Sequence, residues 1–261
     1  MDAGPGKIRW WEDMAAGMSI AEEFAAAYEA VGTAELTRPE LLPVRLARAC
    51  VRVLPVAGVG ISLFGRAGVR LPIGASDEDA AVAERLQFTA AEGPCLDAHA
   101  LARPVLATDT LIAQRWPQFH TGLVCRTPFR AVAAIPWPQL LKGAGTVDLL
   151  FHHSRELEDL DINTADAVVA QVERTLDADS VLEFTATGPG PAWLRGPAAS
   201  SRNAVFIAMG MLNVALEVST PDALALLRGH AYATDRTVDD LADDIVNRRI
   251  RAAELRVDTN Q

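Results

Sequence analysis

The sequence predicts an α+β protein: an antiparallel sheet flanked by helices, followed by a small all-α bundle of three helices. Three observations predict it. Between residues 59 and 152, short aliphatic runs bounded by Gly and Pro have the length and composition of strands. On either side, apolar residues recur at helical spacing. After a break rich in Gly, Pro and Ala, three more helical stripes complete the pattern.

The elements follow in order. Ile20, Phe24, Ala27, Tyr28 and Val31 share one face of a helix over Ser19–Val31, either packed on the main domain or pairing in a dimer; Trp10 and Trp11 precede it. A second helix over Pro39–Leu54 aligns Leu42, Leu46, Ala49, Cys50 and Val53, and Pro43 is tolerable in its first turn. The period then changes. Val59–Phe64 and Val69–Gly74 form a β-hairpin around a Gly-containing turn. Ser76, with Asp77, Glu78 and Asp79, opens a helix to about Leu86, its acids near the positive N-terminal end. EGPCLDAHALARP reads as a small irregular region in which Cys95 lies near a helix start. Strands are expected around Val105–Ala107, Ala131–Pro136 and Thr146–His152, with a short helix in PQFHTGLVC. Asp159–Leu176 is a long helix presenting Ile162, Ala165, Val168, Val169, Val172 and Leu176.

Residues 177–200 break the pattern and read as a linker in which Trp193 and Leu194 dock on a neighbour. Beyond it, Val205, Ala208, Met209, Leu212 and Leu216 form one stripe. Ala223, Leu224, Leu227 and Ala231 form a second, and Val238, Leu241, Ala242, Ile245 and Val246 a third. Thr220 is an N-cap with Pro221 in the first helical position. Thr237 and Asp240 have the spacing of a capping box. The domains expected are a helical segment over 1–36, a sheet domain over 37–178, a linker over 179–199 and a three-helix domain over 200–257.

The chain has 261 residues, half of them hydrophobic, and a net charge of −10. No apolar run approaches the ~18–20 residues that a membrane helix needs, and MDAGPGKIRWWEDM lacks a signal core. The expectation is a cytoplasmic protein with no membrane partner. The acidic balance repels polyanions at long range. Cys50, Cys95 and Cys125 lack CxxC spacing and no HExxH spacing occurs. The expectation is therefore no metal, no cofactor and no enzyme. His152 and His153 end a strand and point to opposite faces.

The segment from Arg202 to Val246, with its run STPDALALLRGHAYATDR, resembles an ANTAR domain, the RNA-binding module of antitermination regulators. Arg202, Ala208, Gly210, Met211, Ala223, Leu227, Arg228, Ala231, Arg236, Leu241, Ala242 and Val246 carry the match. EGPCLDA, with the hairpin before it and WPQF after it, resembles a GAF domain over roughly residues 38–178. Together they resemble the GAF–ANTAR antitermination regulators of the actinobacterial type. The resemblance implies a GAF sensor for a small molecule or partner, an output that binds paired RNA hairpins, and a homodimer. Many members carry Lys where this chain has Met209, and polar residues where it has Phe206 and Ile207. Residues 199–261 hold seven Arg against nine acids, a balance of −2, whereas phosphate neutralisation normally drives RNA binding.

Arg202, Arg228 and Arg236 are candidate RNA contacts or solvated helix-surface charges. Tyr232 either stacks on a base or packs. A sensor pocket between the sheet and Asp77–Leu106 has Phe64, Phe88, Cys95, Trp116, Phe119 and Trp137 as candidate lining, the aromatics being equally good core residues. Two alternatives stand beside the RNA regulator. One is a protein-interaction regulator using the apolar Phe206–Met211 surface. The other is a thiol enzyme at Cys95, with Asp97 and His99 two and four residues on.

Overall fold

Strand alternation divides the molecule into two layers. In β1 (Gly58–Phe64) and β5 (Ala144–Phe151), Val59, Ile61, Val147, Leu149 and Phe151 point into one core. Their alternate neighbours Ser62, Thr146 and Asp148 face the other side, as a period of two requires. The computed structural model describes residues 18–64, 70–137, 144–184 and 190–256. Trp10, Trp11, Val69 and residues 185–189 of the expected linker lie outside the described residues.

Among the described residues, five antiparallel strands are ordered β2 (Arg70–Ala75), β1, β5, β4 (Ala131–Trp137) and β3 (Val105–Ala107). The first face packs on α1 (Ile20–Ala30), α2 (Leu42–Val53) and α7 (Ile162–Phe184). α1 is closed by a Ser19–Glu22 capping box and sinks Phe24 into this core, so it packs on the sheet unit. Each such side chain contributes about 1.5–3 kcal/mol through burial. The second face carries α3 (Glu78–Ala90), α4 (Pro94–Leu101), α5 (Asp109–Arg115) and α6 (Pro117–Arg126), around Ala83, Ile112, Trp116, Phe119 and Leu123.

Local expectations are corrected at three helices. EGPCLDAHALARP is not irregular: Gly93, at φ 145°, turns the chain and Pro94 starts α4. α5 was not anticipated; Thr108 caps it by accepting from the Leu111 amide. The cap of α3 is Asp77, which accepts from the Ala80 amide at 2.9 Å, and the helix continues to Ala90. Ser76 instead accepts from the Val59 amide and ties the helix entrance to β1.

Residues 177–200 are more ordered than a linker. α7 runs on to Phe184, a 3-10 turn spans Ala192–Arg195, and α8 (Pro197–Leu216) has begun. Trp193 docks as expected: it is buried in the first core and its Nε1 donates to Asp179 at 2.9 Å. α8, α9 (Thr220–Ala233) and α10 (Val238–Val246) form the three-helix unit, with α8 and α9 meeting at 105°. Thr237 caps α10 as expected. Ser219, not Thr220, caps α9, because its hydroxyl reaches the Asp222 amide; Pro221 is then the second helical residue. Among the described residues, no single helix is long and apolar enough to cross a membrane.

A Cβ on Gly60 would come within 2.5 Å of Glu84 Cδ, whereas one on Gly210 meets nothing within 4 Å. Gly60→Ala is expected to cost about 1–3 kcal/mol through overpacking. Gly210→Ala should gain about 0.5–1 kcal/mol from helix propensity. Urea denaturation of both variants checks this; a shared sign would contradict the close approach of β1 and α3.

Candidate functional site

Where a cavity was expected between the sheet and the 77–106 segment, the chain places a buried ion cluster. Arg70 enters from β2, Ser62 from β1, and Thr146 and Asp148 from β5. Glu84 and Gln87 come from α3 and Cys95 from α4. Arg70 is ion-paired to Glu84 and reaches Asp148 Oδ2 at 3.4 Å. Its Nη1 donates to the Glu84 carbonyl at 2.8 Å and its Nε to Cys95 Sγ at 3.0 Å. Ser62 donates to Glu84 Oε2, and Gln87 Nε2 to Asp148 Oδ2, both at 2.6 Å. Gln87 Oε1 accepts from the Cys95 amide at 3.0 Å, which fixes the start of α4.

Two carboxylates share one guanidinium, and burial discriminates between charge states. Burial, with Glu84 beside it, raises the pKa of Asp148 well above the ordinary carboxylate value. Desolvation opposes the charge on Arg70, yet Cys95, Glu84 and Asp148 around it raise its pKa. Burial also lifts the Cys95 thiol well above its usual range, although Arg70 opposes this. Arg70 donates to the sulfur, which also lies 2.8 Å from Thr146 Oγ1 in a contact where either group can donate. Cys95 is thus buried inside the cluster and is not exposed as a reactive thiol in this packing.

The six candidate pocket residues do not converge. Phe64 stacks on His99 of α4, with ring centroids 3.7 Å apart. Trp116 and Phe119 are packed in the second core and Trp137 in the first, on the opposite face of the sheet. Phe88 leaves the sheet unit altogether and lies in the core of the three-helix unit, beside Val205, Leu227 and Ile245.

Phe88 organises the interface between the two parts. The Arg202 guanidinium carbon sits 3.2 Å from the centroid of its ring, and that of Arg228 lies 5.1 Å away. Arg228 Nε also donates to the Phe88 carbonyl at 3.2 Å. The next residue, Thr89, accepts from the Val238 amide at the start of α10. Arg126 of α6 ion-pairs with Asp235 at 2.6 Å. Arg202 is 0% exposed and faces Asp239 Oδ2 at 3.4 Å, yet neither its nitrogens nor the Asp239 oxygens make a hydrogen bond among the described residues. Burial pushes the Arg202 pKa down to about 10 and raises that of Asp239.

The RNA-contact candidates therefore separate. Arg202 is sealed in an interface and offers no surface in this packing. Arg228, Tyr232 and Arg236 line one open cleft of about 750 Å³ between α3, α6 and α9, joined there by Arg126 and Cys125. Arg236 also donates to Asp244 at 2.6 Å. On α8, Phe206 and Ile207 are exposed, as is Val214, whereas Met209 is buried.

Sequence reading missed the ion cluster, whose members come from five elements. The signal was Asp148 between Val147 and Leu149, a carboxylate in an apolar strand. No family model matches the chain, and no curated protein matches it. Among solved structures it is similar to one described as an RNA-binding light-oxygen-voltage receptor, at 18% identity and a TM-score of 0.20. The match covers 72% of this chain and 46% of that one, so it spans less than half of the receptor's length. At that TM-score the overlap defines no shared fold.

Because the folded pKa of Asp148 is raised, its contribution is fully present below the unfolded pKa of about 3.9 and is lost as pH rises. Asp148→Asn removes this loss. Its stability relative to the parent should therefore climb between pH 4 and 7, by at most about 1.4 kcal/mol per pH unit; parallel denaturation curves would refute the assignment. Separately, Cys50 and Cys95 are buried and Cys125 is exposed. A thiol-disulfide reagent should titrate a single thiol in the native protein and all three after denaturation, and rapid native reaction at Cys95 would contradict its placement.

Proposed function

We propose that this chain is a signal-responsive RNA-binding regulator acting by transcription antitermination. On this reading residues 37–178 are a GAF-like sensor and residues 200–257 an ANTAR-like output. The protein acts as a cytoplasmic homodimer without a catalytic role. The observation that carries the reading is the Phe88 plug: one end of a sheet-unit helix fills the core of the three-helix unit and covers two of its arginines. A signal that shifts α3 reaches those arginines directly. The RNA partner is supported by the resemblance over residues 202–246. It is also supported by the chemistry of Arg228, Tyr232 and Arg236 around one cleft, since guanidinium and aromatic planes suit splayed hairpin bases and phosphates.

In this packing the output is restrained, and release of α3 exposes Arg202 and the covered side of Arg228. A buried ion pair without hydrogen bonds is poorly repaid for its desolvation, which keeps the closed form easy to open. A specific observation favours a second reading, in which the three-helix unit binds a protein: Phe206 (41%), Ile207 (53%) and Val214 (84%) are exposed on α8.

The test compares the full chain with a Thr89→Val/Arg126→Ala variant, whose interface loses the Val238 and Asp235 contacts. RNA carrying tandem hairpins is titrated at low and at physiological salt. Loss of about 1–2 kcal/mol of interface should tighten binding roughly 5–30-fold. No binding by either protein at either salt would eliminate the RNA reading. Equal, salt-sensitive binding by both would keep RNA but remove the plug as its control.

A further inference from the structure

The cleft between α3, α6 and α9 has the attributes of a small-ligand site. Its volume of about 750 Å³ lies within the range of about 300–1,000 Å³ typical of such pockets. Its charged lining is Arg126, Arg228, Arg236 and Asp235; Arg126 is paired with Asp235 and Arg236 with Asp244, which leaves Arg228 as the uncommitted cation of the cleft among the described residues. The neighbouring cleft beyond α10 has the opposite balance, with Asp239, Asp240, Asp243 and Asp244 against Arg85, Arg236 and Arg249.

Two side chains of α9 stand out in the cleft. Arg228 is half-buried, with its Nε committed to the Phe88 carbonyl, and its guanidinium has no carboxylate partner among the described residues. A partly desolvated guanidinium whose Nη groups have no counter-ion favours an anion with several oxygens. Tyr232 is 70% exposed and lines the cleft, so its ring is open to stacking by a flat group. It stands four residues from Arg228, on the same face of α9 and about 6 Å along the axis. Gly229 lies between them, and a Cβ there would meet nothing within 4 Å, so the floor of the cleft stays open to a flat group.

We propose that this cleft binds a free nucleoside monophosphate, its phosphate on Arg228 with Arg126 nearby and its base on the ring of Tyr232. The site is composite: α3 and α6 supply one wall and α9 the other, so the occupant bridges the sheet unit and the three-helix unit and favours their closed arrangement. The proposal does not rest on the RNA reading. Nucleotide binding without RNA binding, or the reverse, separates the two.

Cys125 is the exposed thiol of the three and lines the cleft, so it reports occupancy in the intact chain. Its rate of modification by a maleimide is measured with AMP, GMP, adenosine or inorganic phosphate at millimolar concentration. AMP or GMP should slow the reaction; adenosine and phosphate, each offering half of the interaction, should protect at least about tenfold less. Tyr232→Ala, a surface change that leaves the fold intact, and Arg228→Gln should each weaken nucleotide protection about tenfold. Unchanged rates with both nucleotides overturn the proposal. So does protection by phosphate alone equal to that by nucleotide, or protection that survives both substitutions.

Discussion

A guanidinium cannot be placed against a β-sheet without its counter-charges, and Arg70 imposes that constraint on everything around it. Leaving one partner out of such a buried group costs about 3–5 kcal/mol. The chain meets the demand with the ion pair to Glu84 from α3, and completes it with Ser62, Gln87, Cys95, Thr146 and Asp148. The cluster therefore joins three strands and two helices by directional contacts, whereas the cores on either side are held by non-directional burial. Gly60 belongs to the same arrangement, because only a residue without a side chain leaves room for the Glu84 carboxylate. The space under the sheet is occupied by the protein's own charges.

The orientation of α3 then decides how the two parts of the molecule meet. Glu84 and Gln87 are turned to the sheet, so the following residue, Phe88, is rotated by about 100° toward the other side. There it enters the three-helix core between two arginines. The interface combines firm contacts, such as Thr89 with Val238, and a costly one, Arg202 with Asp239, whose charges lie close but share no hydrogen bond. Natural interfaces that need only hold are seldom built this way. The combination suits a contact that closes reproducibly and opens at modest cost.

Much of this was legible in the sequence. The alternation in VGISLF, the stripe Ile162–Leu176 and the punctuation around Pro221 and Thr237 each specify an element through local physics, and the elements are there. The short helices α4 and α5 escaped because fewer than nine residues offer too little periodicity. By residue type Arg202 reads as a surface charge. Its position says otherwise: spaced three, seven and ten residues before Val205, Met209 and Leu212, it belongs to the buried stripe of α8. The candidate pocket failed for a different reason. Aromatic residues announce burial but not which of three cores they enter, and that depends on pairings across 50–100 residues that no local pattern encodes.

Phe88 also has a consequence for how the molecule folds and how it can be cut. A side chain contributed by one unit to the core of another makes the second unit thermodynamically incomplete by itself. A fragment beginning after the break would carry a hole the size of a benzyl group, lined by Val205, Leu227 and Ile245, with a cation at its edge. Covalent boundaries and cooperative boundaries thus fall in different places. The chain can be divided by composition near residue 190, yet its last third completes its interior only when a helix that closed a hundred residues earlier is already in position.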